Sequence, residues 1–313
     1  MEKNIASFGR YALLLFSLLF FTACIHRKQI DRQKLHIDIP AAENIILSQS
    51  GPPAVTIWIH GTLIFYKPDY HKIFNDQSVL IPIKELPSDH HFRILAQTIA
   101  NHNSHQFPLE EFYIFGWSGK LQDQERKQAA HILHQEINAL VERYKATYGC
   151  IPTIRIIAHS HGGNVALNMA EIKADYLPFC IQSLILLACP VQDKTMHLIC
   201  CPMFQRVYSL YSSFDMIQVL APQFQRIRTK NGRRKKKYGI FPFSSRLFPT
   251  YSHLTQAKIK INDFPISHTR FSTKEFATLL PSILQKLDSW HNESLSSNKI
   301  AKHKLLCVYN KKK

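Results

Sequence analysis

Short runs of apolar residues recur along the chain and predict the strands of a buried sheet. The runs are Ala54–Ile59, Phe112–Phe115, Thr153–Ala158, Ile181–Ala188, Arg206–Tyr211 and, as the last strand, Lys258–Ile261. Most are apolar at successive positions rather than alternate ones, which is typical of parallel strands buried on both faces.

Segments with a helical spacing of apolar residues lie between these runs. They cover Phe92–Ile99, Gln122–Tyr148, Gly162–Ile172 and Thr273–Leu287. Strands that alternate with helices in this way predict an α/β fold, with a predominantly parallel central sheet and helices on both faces. We place this domain at residues 51–290, after a polar linker and an edge element at 25–50.

The N-terminus has the pattern of a targeting segment. Lys3 and Arg10 precede the apolar run Tyr11–Ala23, which is short for a membrane-spanning helix of about 20 residues. The sequence Phe21-Thr22-Ala23-Cys24 resembles a bacterial lipobox, although Phe21 stands where leucine is usual, and the resemblance implies lipid attachment at Cys24. Residues 1–24 are thus predicted to be a signal peptide, a lipoprotein signal or an uncleaved membrane anchor. We expect an exported or membrane-associated protein, with a lipid anchor in the cell envelope as one alternative.

The chain is strongly basic. Lys and Arg number 39 against 22 Asp and Glu, a formal net charge of +17. Two basic segments stand out: an insertion at 226–237 and a C-terminal tail at 291–313, both expected to be mobile. The insertion lacks the interleaved aromatic residues of a nucleic-acid stacking platform, so an anionic membrane surface is the favoured partner and nucleic acid is not.

One serine lies in a segment of chemical interest, Ala158-His159-Ser160-His161-Gly162. Small residues two places before and after Ser160 allow a strand and a helix to approach closely at a sharp turn. The segment resembles the Gly-x-Ser-x-Gly motif of the α/β-hydrolase family, lipases and esterases in particular, with Ala158 at the first glycine. The resemblance implies that Ser160 is a nucleophile. Its alternative is a serine that only caps the helix.

The resemblance also implies an acid and a base that follow the serine in the order Ser, Asp, His. Asp215, just after a strand, fits the acid, and His268, between the last strand and the last helix, fits the base. Asp193 and His253 remain as alternatives. Either favoured residue also has a plain interpretation, since Asp215 could cap a helix near Met216 and His268 could be an ordinary loop residue.

Two backbone N–H groups would form the family's oxyanion hole. One belongs to His161, after the nucleophile, and the other to Thr62 or Leu63, after the His-Gly turn at His60. With His159, these histidines also suggest a metal site, but no carboxylate or cysteine joins them in sequence, so we expect no metal and no cofactor.

These features predict a serine hydrolase that acts on a carboxylic ester or lipid through an acyl-serine intermediate. An acyltransferase would use the same residues. A different class of protein is also open: a hydrolase-shaped surface protein without catalysis that binds anionic lipid or a partner.

Overall fold

The structure, a computed structural model, describes residues 31–37, 53–62, 78–172, 179–220, 222–228, 234–296 and 304–310. Its strands are β1 (Asp31–Ile37), β2 (Ala54–Ile59), β3 (Val79–Pro82), β4 (Phe112–Gly116), β5 (Thr153–His159), β6 (Ile181–Leu187), β7 (Val207–Tyr211), β8 (Pro222–Arg228), β9 (Arg234–Phe243), β10 (Leu254–Ile261), β11 (Phe264–Pro265) and β12 (Lys304–Asn310). Its α-helices are α1 (His91–His102), α2 (Asp123–Tyr148), α3 (His161–Asn168), α4 (Met216–Leu220) and α5 (Lys274–Ser296).

The main sheet has the strand order β1-β12-β10-β7-β6-β5-β2-β4-β3. Neighbouring strands in this order are parallel except for β3 on β4, and β11 adds a short antiparallel pairing to β10. The predicted α/β class is confirmed at this level: a mixed, mostly parallel sheet with helices. Because β2, β5, β6 and β7 are parallel neighbours, the loops that follow them gather at one edge of the sheet, which we call the carboxyl edge.

Helices cover both faces of the sheet. One buried cluster joins apolar residues of α2 and α3 to one face, and a second joins those of α1 and α5 to the other. Within β2, Ile57 belongs to the first cluster and Trp58 to the second, as the alternation of side chains along a strand requires. This burial on both faces explains the continuous apolar runs in the sequence.

The C-terminal region differs from the expectation of a basic tail at 291–313. Helix α5 continues to Ser296, and β12 pairs in parallel with β10 on one side and β1 on the other. The reason is the apolar run Leu305–Val308, which is buried between these neighbours. Strand β10 begins at Leu254, four residues earlier than predicted, and is not the last strand.

Residues 226–228 and 234–237 of the basic insertion lie in β8 and β9, which pair as an antiparallel hairpin separate from the main sheet. The predicted linker at 25–50 contains strand β1 at the edge of the sheet.

The signal segment 1–24, with Cys24, and the alternative oxyanion residue Leu63 lie outside the described residues. In the part of the chain that is described, none of the helices has the length and apolarity needed to cross a membrane. The six cysteines in that part are free thiols.

Candidate active site

Ser160 stands at a strained turn between β5 and α3. Its φ is 53° and its ψ is −131°, a conformation that residues other than glycine rarely adopt and that costs on the order of 1–3 kcal/mol. The Ser160 N–H donates to the carbonyl oxygen of Leu187 at 2.8 Å, which holds the turn against the end of β6. Ser160 occupies the N-cap position of α3, yet its side chain makes no capping hydrogen bond. Helix capping therefore does not account for the hydroxyl.

The glycine after this turn is required by the approach of β2. A Cβ atom on Gly162 would lie 2.5 Å from the carbonyl oxygen of His60 and 2.7 Å from that of Ile59. These are backbone atoms within a strand end, so they cannot move aside cheaply. The small residue that the sequence carries two places after Ser160 thus has a steric cause.

The loop after β2 lies directly against Ser160. A Cβ atom on Gly61 would stand 2.7 Å from the Ser160 Cβ. Thr62, the next residue, is buried. His161 is the first residue of α3, so its N–H has no acceptor within the helix. His161, directly after Ser160, and the loop that contains Thr62 therefore both lie next to this serine.

His60 fixes this loop from behind. The Trp117 backbone N–H donates to His60 Nε2 at 3.1 Å, and the Trp117 indole N–H donates to the His60 carbonyl oxygen at 2.8 Å. His60 Nε2 is thus an acceptor, which leaves its Nδ1–H to donate to the Gly61 carbonyl oxygen at 2.7 Å. The ring stacks against Phe92 and Trp117, with centroid distances of 6.0 and 5.8 Å.

Asp215 and His268 form a buried pair. His268 Nδ1 lies 2.8 Å from Asp215 Oδ2, and both side chains are almost completely excluded from solvent. The other carboxylate oxygen of Asp215 accepts the Gln218 N–H at 2.9 Å, so the residue also caps α4. Arg246 donates to the Asp215 carbonyl oxygen at 2.8 Å, which places a cation beside the carboxylate. Asp215 therefore contacts the His268 imidazole and caps α4 at the same time.

His159 brings the His268 loop to Ser160. Its Nε2–H donates to the His268 carbonyl oxygen at 3.1 Å, and the two ring centroids are 4.9 Å apart. Burial lowers the pKa of His159 to about 3, with a further contribution from His268, so the ring is neutral at physiological pH. Its Nδ1 lies close to the loop after β2, because a Cβ atom on Gly61 would stand 3.2 Å from it. Spacing along the chain gave no indication of this bridging position.

The alternative base, His253, lies elsewhere. It precedes β10, and its carbonyl oxygen accepts the N–H of Val207, the first residue of β7. This is the amino end of the parallel strands, opposite the edge that carries Ser160. Its Nε2 is 2.8 Å from the Ile199 carbonyl oxygen. The alternative acid, Asp193, is half-buried in the segment after β6, and it is Asp215 that holds the His268 imidazole.

A polar cluster supports the other side of the Ser160 turn. Asn164 of α3 donates to the Pro190 carbonyl oxygen at 3.0 Å and to His161 Nδ1 at 3.5 Å. Burial, and after it the charge of Arg126, holds the pKa of His161 well below its usual value.

Among the residues that the structure describes, no group of three His, Cys, Asp or Glu side chains could hold a metal ion.

Comparison with known proteins adds no assignment. No family model matches the sequence, and a search of curated proteins finds no match. The functional argument therefore rests on the arrangement of Ser160, Asp215, His268 and the loop after β2.

Proposed function

We propose that the chain is a serine hydrolase of the α/β-hydrolase fold that cleaves a carboxylic ester through an acyl-Ser160 intermediate. One observation carries the proposal. A strained, buried serine between a strand and a helix shares the carboxyl edge of a mostly parallel sheet with a buried Asp215–His268 pair. Strain at a residue other than glycine is tolerated where a functional constraint maintains it.

The roles of the three residues follow from their chemistry. A serine hydroxyl becomes an effective nucleophile when an imidazole accepts its proton. His268 would accept that proton at Nε2 and return it to the leaving alcohol, while Asp215 holds Nδ1–H and stabilises the imidazolium ion. Water would then attack the acyl-serine, with His268 again as the base, and release the carboxylic acid.

The developing oxyanion needs N–H donors that are already in place. The N–H groups of His161 and Thr62 are the candidates, because Gly61 keeps the loop after β2 in contact with Ser160. Such donors typically lower the barrier by about 3–4 kcal/mol each. The His60 hydrogen bonds to Trp117 hold this loop in one conformation.

A fluorophosphonate probe tests the proposal directly. We expect the probe to modify Ser160 in the folded protein, as located by mass spectrometry of the labelled peptide, and to leave Ser160→Ala unlabelled. Ser118→Ala is the matched control, since Ser118 also follows a strand at the carboxyl edge but donates its hydroxyl to Glu125 at 3.0 Å. Absence of labelling in folded wild-type protein, or labelling that survives Ser160→Ala, would refute the assignment.

A further inference from the structure

The short helix α4, directly after Asp215, exposes apolar side chains to solvent and buries a polar one. Its apolar residues Met216, Ile217 and Leu220 are 36%, 37% and 45% exposed, whereas the polar Gln218 is completely buried. The Gln218 side-chain amide donates to the Cys189 carbonyl oxygen at 2.7 Å, which fixes the helix in this orientation. Surface helices of soluble proteins normally present the opposite pattern.

Further exposed apolar side chains lie in the segments that carry Asp215, Arg246 and His268. Phe214 is 64% exposed and precedes Asp215, and Phe264 is 74% exposed and lies four residues before His268. Leu247 is 42% exposed and follows Arg246, which donates to the Asp215 carbonyl oxygen. The apolar rim is defined as Phe214, Met216, Ile217, Leu220, Leu247 and Phe264. Its residues lie in or next to the segments that carry Asp215 and His268, and a group of exposed apolar side chains near one site is typical of an interaction surface.

The basic hairpin of β8 and β9 starts and ends beside the apolar rim. Strand β8 begins at Pro222, two residues after Leu220, and β9 ends just before Ser244, whose N–H donates to the Val219 carbonyl oxygen at 3.1 Å. In the hairpin register, Arg226 is opposite Lys236 and Arg228 is opposite Arg234.

Like charges directly opposite each other destabilise an antiparallel pair. Because side chains alternate along a strand, the four positions share one face of the hairpin. A surface of negative charge would relieve this repulsion, and the chain itself, with a net charge of +17, carries no excess of negative charge.

We propose that the apolar rim and the β8–β9 hairpin together bind the surface of an anionic lipid bilayer. Apolar side chains inserted at the head-group boundary and adjacent cations on anionic head groups are the two contributions that hold a protein on such a surface. The bound orientation turns the carboxyl edge, with Ser160, toward the lipid. Only this last consequence, delivery of a lipid ester to Ser160, rests on the proposed hydrolase function.

Vesicle sedimentation with the full chain carrying Ser160→Ala measures binding without turnover. We expect binding to phosphatidylcholine vesicles that contain phosphatidylglycerol to be at least about 10-fold tighter than binding to phosphatidylcholine alone, and to weaken as salt is raised. Replacement of Arg226, Arg234 and Lys236 together by Ser should remove most of this preference, because these three residues lie on the basic face of the hairpin. Equal binding to both vesicle types, or no binding, would overturn the proposal.

A matched pair of substitutions tests the apolar rim. Ile217→Ser is expected to weaken vesicle binding by about 10-fold, because most of a buried aliphatic contact is lost. Ile151→Ser is the control, since Ile151 is 46% exposed but lies before β5 at the opposite edge of the sheet. Equal effects of the two changes would contradict the assignment of the surface. Thermal unfolding midpoints show whether both variants fold as the parent does.

Hydroxyl-radical footprinting of the Ser160→Ala chain tests the same surface without any substitution in the apolar rim. Met216 and Phe214 are expected to be protected when anionic vesicles are added, and Tyr148, 57% exposed at the end of α2, is expected to remain reactive. Protection that depends on protein concentration without vesicles would assign the rim to a second copy of the chain and overturn the lipid proposal. Fluorophosphonate labelling of the wild-type chain in solution tests the hydrolase proposal separately. Either proposal can therefore be refuted without affecting the other.

Discussion

His159 Nε2 lies 3.1 Å from the carbonyl oxygen of His268, so the residue immediately before Ser160 is tied to the loop of the proposed base. The same ring packs against Gly61 in the loop of the proposed oxyanion hole. His159 is neutral and buried, so it adds no charge beside His268. We infer that it is a positioning residue that sets the distance between the two loops.

Two substitutions of His159 distinguish the contribution of its hydrogen bond to activity from the contribution of its side-chain packing. His159→Phe keeps a ring but loses the donor, and we expect kcat on a soluble ester to fall by about 10-fold with little change in KM, the effect of roughly one lost hydrogen bond. His159→Gln can donate from a similar position and should recover most of kcat. Steady-state kinetics of the three proteins checks this. Equal losses in both variants would indicate a packing role instead.

Asp215 and Asp193 are distinguished by paired amide substitutions. Asp215→Asn can still accept the Gln218 N–H but no longer stabilises a protonated His268, and we expect kcat to fall by about 10⁴-fold, the scale for a lost triad carboxylate. The free energy of unfolding should change little by comparison. Asp193→Asn should leave kcat within about twofold. A large loss in Asp193→Asn with a small one in Asp215→Asn would reverse the assignment of the acid.

Gly61→Ala should move the loop after β2 away from Ser160, because the added Cβ would otherwise stand 2.7 Å from the Ser160 Cβ. We expect kcat to fall by about 10²–10³-fold, as when one oxyanion donor is lost. Gly149→Ala serves as control: its Cβ meets no atom within 4 Å, although φ is +68°. That change should cost about 1 kcal/mol of unfolding free energy and leave kcat unaltered. The prediction fails if Gly61→Ala retains full activity.

Buried histidines should make the protein less stable as the pH falls. The pKa of folded His159 is about 3, whereas an unfolded histidine titrates near 6.5. Between these values the unfolded chain binds a proton that the folded chain does not, so acidification favours unfolding.

Urea unfolding from pH 7.5 to 4.5 checks this relation. Below about pH 6, His159→Gln should show a slope of unfolding free energy against pH that is smaller than the wild-type slope by up to about 1.4 kcal/mol per pH unit. Carboxylates contribute equally to both proteins and cancel in the difference. Identical slopes would mean that His159 is protonated in the folded state.

The buried strands and the sharp turn at Ser160 could be predicted from the sequence because each has a local cause. Continuous apolar runs report strands buried on both faces, and a serine with Gly162 two places on reports a sharp turn that backbone atoms enforce. These features depend on residues close together in the chain. The parallel sheet and the Ser160 turn could therefore be predicted from the sequence alone.

Tertiary structure alone decided which distant residues meet. The sequence left Asp193 and His253 open, and strand order resolves the geometry: His253 lies at the amino end of β10, while Asp215 and His268 lie together at the carboxyl edge. The bridge from His159 and the exposed apolar side chains of helix α4 likewise depend on contacts between segments far apart in sequence. Local sterics fix the conformation of a turn, but pairing between distant segments depends on how the whole sheet is ordered, and no local pattern encodes that order.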